Sequence, residues 1–338
     1  MRFILPALFL LFSSASQAAE APPLQRAELG DLRLESGATL LDASLTYRTA
    51  GTLNADRSNA ILFPTWFTGT AEQLFAFDAT GLVDTSRFFL IAVDALANGA
   101  SSSPSNSSRQ PGLDFPAVTI GDMVSAQRRL LTEVLGISHL HAVIGMSMGG
   151  MQAFEWITAY PDFMDKAVSI VGTPRLPAYD LLLWNTQLAA LELAEQCECQ
   201  QDEALAVAGL LNQLAVQTPQ FLAREFPRER TGELVQQGRA GGAAMNIHDR
   251  AAQLRSMLAH DVSRSHGGAM EQAAQVVLAD LLVVTSLQDR AVSPEPALEF
   301  AELAGADVIE LENDCGHTAL FCAPPEIRAG ISGFLERP

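Results

Sequence analysis

The sequence predicts an α/β architecture: a mostly parallel sheet of about eight strands, helices on both faces, and an all-helical insertion. Three observations predict it. Short runs of aliphatic and β-branched residues alternate with helical patterns along most of the chain. Several of the later runs are apolar throughout rather than alternating, as strands covered on both faces are. From about residue 174 to 272 this rhythm stops, and a stretch rich in Ala, Leu and Gln reads as several helices with no convincing strand.

Taken in order, the first residues, MRFILPALFLLFSSASQAAEAPP, read as a targeting segment. Arg2 supplies a short basic start, and Phe3 to Phe12 is an apolar run too short to span a bilayer. Ser16-Gln17-Ala18 places small residues where a signal peptidase reads, so cleavage after Ala18 is expected. No later stretch is long and apolar enough to cross a membrane, and no cysteine near the start offers a lipid attachment point. The expectation is a soluble exported protein, periplasmic or secreted, with no stable membrane anchor.

The strand candidates that follow are LRLES, SLTYRTAG, NAILFPT, RFFLIAVDA, LHAVIGM, KAVSIVG, ADLLVVTS and ADVIELEN. Helical patterns cover roughly 119–135, 149–160, 295–304 and 324–336. A serine-rich segment, NGASSSPSNSSRQPG (98–112), reads as an exposed loop. The expected division is a leader (1–18), the N-terminal part of the core (19–173), a helical lid (174–272) and the C-terminal part of the core (273–338). A lid of this kind shapes a substrate pocket and excludes water from it.

The chain of 338 residues, 48% hydrophobic, can bury a sizeable core. Its 39 acidic and 21 basic residues give a net charge of −18. A surface so acidic repels phosphate backbones, and no basic run offsets it, which argues against nucleic-acid binding.

The chemistry is concentrated in HAVIGMSMGGMQAFEW (141–156). HAVIG is strand, Gly145-Met146-Ser147-Met148-Gly149 is the turn, and MQAFEWITAY is helix. This is a G-x-S-x-G pattern in the strand–turn–helix setting that presents a nucleophilic serine. Glycines leave room where neighbouring side chains would collide, and the Met148 N–H at the helix start is placed to donate to an oxyanion. A serine hydroxyl needs a base to take its proton. In this arrangement the acid and then the histidine follow the nucleophile in the chain. Gly316-His317 follows the last strand candidate and supplies the base. Asp289, just past ADLLVVTS, supplies the acid that fixes the imidazole and stabilises its charged form. Asp280 lies at the opposite end of that strand, and Asp314 shares the histidine's own loop. His139 and His141 precede the nucleophile, while His248, His260 and His266 lie in the insertion; all five read as ordinary surface or capping histidines. The second oxyanion donor is expected from FPTWFTGT, after the third strand, at the Phe67 N–H, with Trp66 the near alternative.

Export would allow disulfides among the four cysteines, and three pairings can be drawn. A Cys315–Cys322 bridge would clasp a short loop, a Cys197–Cys199 bridge would close a very small ring, and free thiols are the other outcome. Neither pair has zinc-knuckle spacing and no histidine cluster accompanies them, so no metal is expected. No cofactor is implied.

The chain resembles the homoserine O-acetyltransferase family of α/β hydrolases over roughly 40–330. PTWFTGT looks like that family's oxyanion loop. DFPAVTIGDMVSAQRRLLTEVLGI followed by VIGMSMGGMQAFEW is the most specific match, and DRAVSP and GHTALF are similar to its acid and histidine segments. The resemblance implies the α/β-hydrolase fold, an acyl-serine intermediate on Ser147, and Asp289 and His317 as its partners. Relatives with helical lids are often dimers, which extends to this chain as an expectation of a homodimer. The family usually carries an acidic residue directly after the histidine, where this chain has Thr318. It commonly has a histidine, a small residue and leucine where this chain has Pro64-Thr65-Trp66-Phe67. Acetyl-CoA is a cytosolic donor. Export and the changed pocket therefore favour water as the acyl acceptor and a small-molecule carboxylic ester as substrate. Acyl transfer to a hydroxyl or amine is the alternative.

Overall fold

A computed structural model describes residues 21–78, 81–197 and 199–337 of the chain. The expected leader, residues 1–18, lies outside them. Eight strands form one sheet: β1 (Gln25–Arg33), β2 (Thr39–Ala50), β3 (Ala60–Pro64), β4 (Phe89–Val93), β5 (Leu140–Met146), β6 (Met164–Ile170), β7 (Asp280–Ser286) and β8 (Asp307–Leu311). Their spatial order is β1-β2-β4-β3-β5-β6-β7-β8. β1 pairs antiparallel with β2 and β2 antiparallel with β4; every other neighbour pairs in parallel.

The eight expected strands are all present, with one displaced. LRLES straddles the end of β1 and the hairpin that follows. β1 begins earlier because Ala27, Leu29 and Leu32 turn inward against β2, while Leu34 to Ala38 are taken up by the turn.

The helices are α1 (Ala71–Asp78), α2 (Ile120–Arg129), α3 (Met148–Ala159), α4 (Ala178–Cys197), α5 (Gln201–Val216), α6 (Pro219–Glu225), α7 (Thr231–Ala243), α8 (Ile247–Leu258), α9 (Met270–Gln275), α10 (Glu295–Ala304) and α11 (Pro325–Glu336). Strand side chains feed two separate cores. Leu62, Val143 and Val283 pack with Met123 of α2, Phe154 of α3 and Phe300 of α10. Ile61, Phe63, Ile144 and Val284 pack on the other face with Leu74 of α1 and Phe334 of α11. Successive residues therefore point into different cores, which is why these strands read as apolar throughout.

Helices α4 to α9 lie in the chain between β6 and β7, and residue 272 falls inside α9. No helix among the described residues is long and apolar enough to cross a membrane. The serine-rich segment differs from expectation: Ser101, Ser102 and Ser103 are buried. Their hydroxyls are consumed locally. Ser101 Oγ donates to the Asp94 carbonyl (2.7 Å), Ser102 Oγ accepts the Ser44 N–H (2.8 Å), and Ser103 Oγ donates to the Ser101 carbonyl (2.7 Å). A polar run is carried inside because each hydroxyl finds a backbone partner.

Candidate active site

β5 ends at Met146 and α3 begins at Met148, which isolates Ser147 at the turn. Its backbone sits at φ 57°, ψ −120°, a conformation a non-glycine residue keeps only where its surroundings impose it. They do so here. The Ser147 N–H donates to the Ile170 carbonyl at the end of β6 (2.9 Å), and the Ser147 carbonyl accepts the Met151 N–H (3.0 Å). The turn is too tight for side chains on either side. A Cβ at Gly145 would lie 2.0 Å from the Gly149 carbonyl oxygen, and one at Gly149 would lie 2.6 Å from that of Pro64.

Asp289 follows β7 and His317 follows β8, so both arrive at the same end of the sheet as Ser147. The buried Asp289 carboxylate is fully used. Oδ1 accepts the N–H groups of Ala291 (2.8 Å) and Val292 (3.1 Å), and Oδ2 accepts from His317 Nδ1 at 2.6 Å. A carboxylate can only accept here, so Nδ1 carries the proton and Nε2 presents its lone pair. Nε2 lies 2.8 Å from Ser147 Oγ, which donates to it. Residues 28 and 170 positions from His317 are thus joined in one relay able to take the hydroxyl proton.

His317 rides a 3-10 turn, Gly316–Cys322, whose ends are bridged by the Cys315–Cys322 disulfide. A second disulfide, Cys197–Cys199, lies at the end of α4. Both cysteine pairs are therefore bridged rather than free. Thr318 Oγ1 donates to the Cys315 carbonyl (2.8 Å), so its hydroxyl is committed to the same turn.

The other side of Ser147 is framed by the start of α3 and the loop after β3. Met148 is the first helical residue, so its N–H has no carbonyl one turn back within the helix. The loop turns tightly, with the Gly69 N–H donating to the Trp66 carbonyl (2.9 Å) and Thr68 at φ 63°. Gln152 joins the two segments. Its Nε2 donates to the carbonyls of both Thr65 (3.0 Å) and Met148 (3.2 Å). Its Oε1 accepts from Gln127 Nε2 (2.6 Å), and Gln127 Oε1 accepts from Trp156 Nε1 (2.9 Å). All three side chains are fully buried. From the insertion, Gln253 Oε1 accepts the Thr68 N–H (2.9 Å). Phe67 and Met148 therefore belong to backbone segments held together by buried amides.

Helix α4 is tied to the acid loop. Asp180 accepts from Ser293 N (2.8 Å) and Oγ (2.6 Å), and Trp184 Nε1 donates to the Ala291 carbonyl (3.0 Å). Burial pushes the Asp180 carboxyl up to about 6, against its bonds to Ser293.

The remaining histidines stay apart from Ser147. His139 bonds Asp165, His141 bonds the Leu335 carbonyl and His248 bonds Glu195. His260 is buried rather than at the surface; it bonds the Thr173 carbonyl (3.1 Å), and burial lowers its pKa to about 4. Sequence reasoning passed over Gln127, Gln152, Asp180 and Gln253. Only Gln152 carried a signal, a glutamine one turn beyond the nucleophile on a helix otherwise apolar there.

The model of the α/β hydrolase fold matches residues 76–324. The chain belongs to the α/β-hydrolase fold family. This α/β hydrolase is 39% identical over 212 residues to an ethyl acetate hydrolase of Pseudomonas veronii, covering 61% of this chain and 60% of that one. It is 28% identical over 362 residues to a homoserine O-acetyltransferase of Acidiphilium cryptum, covering 92% and 95%, so the resemblance expected from the motifs is found. The crystal structure of an acetylester hydrolase from Corynebacterium glutamicum superposes with a TM-score of 0.86 at 30% identity, covering 93% of this chain and 96% of that one. The matched stretch spans 60% of the length of the Pseudomonas relative, and 52% of that of a probable esterase of Corynebacterium glutamicum.

Proposed function

We propose that this α/β hydrolase cleaves a carboxylic ester through an acyl intermediate on Ser147 and acts outside the cytosol. The observation that carries the reading is the unbroken chain Ser147 Oγ to His317 Nε2 (2.8 Å) and His317 Nδ1 to Asp289 Oδ2 (2.6 Å). Ser147 Oγ attacks the ester carbonyl carbon while His317 Nε2 takes its proton. Asp289 stabilises the imidazolium. The oxyanion lies against the N–H groups of Met148 and Phe67, the carbonyl re-forms, and the alcohol leaves with the proton held on His317. Water, deprotonated by the same imidazole, then releases the acid and restores Ser147. Helices α4 to α9 serve as the lid over this pocket. The esterase relatives support water as the acceptor, as does the absence of a carboxylate at Thr318.

The full-length similarity to an acetyltransferase favours one second reading, transfer of the acyl group to a hydroxyl or amine. A product-resolved screen separates them. Purified protein is given short acyl esters with and without alcohol and amine acceptors, and the products are identified by mass spectrometry. Free acid as the main product supports hydrolysis; acylated acceptor exceeding free acid overturns it. A fluorophosphonate probe should label the wild type and not Ser147→Ala. Fractionation of the native host tests export, and protein confined to the cytosol overturns that part.

A further inference from the structure

Arg250 of α8 is 2% exposed, yet no carboxylate lies within ion-pairing distance of it among the described residues. This is unexpected in a chain with 39 acidic and 21 basic residues. A buried cation without a counter-charge is costly, and ordinary folds pair it or leave it at the surface. What surrounds Arg250 is instead neutral. Its guanidinium carbon sits 5.1 Å from the ring centre of Phe67, and one terminal nitrogen reaches Gln187 Oε1 of α4 at the long distance of 3.5 Å. Arg250 Nε and Gln187 Nε2 are buried and have no hydrogen-bond partner among the described residues. Two adjacent side chains thus hold unused donors. Burial lowers the guanidinium to about 10, so at neutral pH it keeps its charge.

The position of this pair matters more than its energy. Phe67 is the residue whose N–H faces the oxyanion in the reading above. Its ring is flanked by Arg250 and, edge-on at 5.9 Å, by Trp184, whose indole is bonded to the acid loop. Arg250 therefore stands one side chain from the oxyanion loop, inside the layer between α4, α8 and the sheet. We propose that Arg250, assisted by Gln187 Nε2, binds a carboxylate carried by the substrate, so that the preferred ester bears a negative charge. A planar guanidinium offers a carboxylate two parallel donors, and the incoming anion supplies the counter-charge that the fold omits. The proposal rests on the ester-hydrolase reading for its catalytic consequence, but anion binding does not depend on that reading.

The test uses the full chain. Succinate and butyrate, equal in carbon count and differing in one carboxylate, are titrated calorimetrically into wild type, Arg250→Gln and Arg250→Lys, with folding checked by circular dichroism. Wild type is expected to bind succinate about tenfold or more tightly than butyrate. Arg250→Gln should erase that difference, and Arg250→Lys should keep part of it because charge is retained while the fork is lost. In turnover, Arg250→Gln should lower kcat/KM for monoethyl succinate about 30-fold and for ethyl butyrate by less than about threefold. Equal binding of succinate and butyrate by wild type overturns the proposal even if the variants fail to fold. An equal loss on both esters also overturns it, since that is what a packing role gives. If wild type hydrolyses neither ester but binds succinate through Arg250, the hydrolase reading fails and the anion site stands.

Discussion

On one side of Ser147, Asp289 and His317 stand on loops that each follow a single strand, and sheet order alone brings them together. On the other side, the loop after β3 is held by Gln152 and Gln253, which lie 87 and 185 positions further along the chain. The first side depends on three side chains and the strands beneath them. The second depends on a buried amide network and on helix α8 being docked. Damage to the first should remove the chemistry and spare the fold. Damage to the second should displace the Phe67 and Met148 N–H groups, the proposed oxyanion donors, and loosen the fold together.

The sharpest contrast comes from the relay itself. Ser147→Ala and His317→Ala should each lower kcat/KM for a neutral ester by about 10⁴-fold or more, with the melting temperature nearly unchanged. A large drop in melting temperature would erase the distinction between the two sides. Gln152→Ala should come next. Freed from Thr65 and Met148, the donor segments drift apart, and kcat should fall about 10²-fold with little change in KM. Steady-state kinetics on the same ester reads this, and a loss carried by KM instead would place Gln152 in binding. Gln253→Ala should be milder, about tenfold in kcat, with a stability loss of about 1–3 kcal/mol by urea unfolding because the Thr68 N–H loses its partner.

The smallest effect comes from a control further along α3, at a side chain that bonds neither side. Burial raises Glu155 of α3 to about 7, above its ordinary value. The folded protein therefore holds that proton more tightly than the unfolded chain. The stability this gives is full below about 4.5 and is lost as pH rises through about 7. Glu155→Gln should be more stable than wild type by about 3 kcal/mol at pH 8 and no different near pH 4, with kcat unchanged. Thermal melts across that range check it. A change in kcat would mean that the two sides of Ser147 are coupled through α3.

The same contrast explains how much could be read in advance. Strand count, helix positions and the places of Ser147, Asp289 and His317 were legible, because each depends on a local pattern: an apolar run, a tight turn, a polar residue just past a strand end. β1 was misplaced since its alternation is weak outside the sheet. The serine-rich segment is the expected loop, exposed over much of 105–112, but Ser101 to Ser103 are buried against its polarity, because composition does not report partners. Gln127, Gln152, Gln253 and Asp180 were passed over because a buried amide or carboxylate looks like any other until its acceptor, far along the chain, is known.

By itself, the sequence determined a serine at a strand–helix turn and the two residues that complete its hydrogen-bonded relay. These follow from short-range sterics and from the order of strands in a parallel sheet. The tertiary structure alone decided how the loop after β3 is held, and that Arg250, beside Phe67, meets no counter-charge among the described residues. Both are long-range matters of which buried donors meet which acceptors, and no local pattern encodes that.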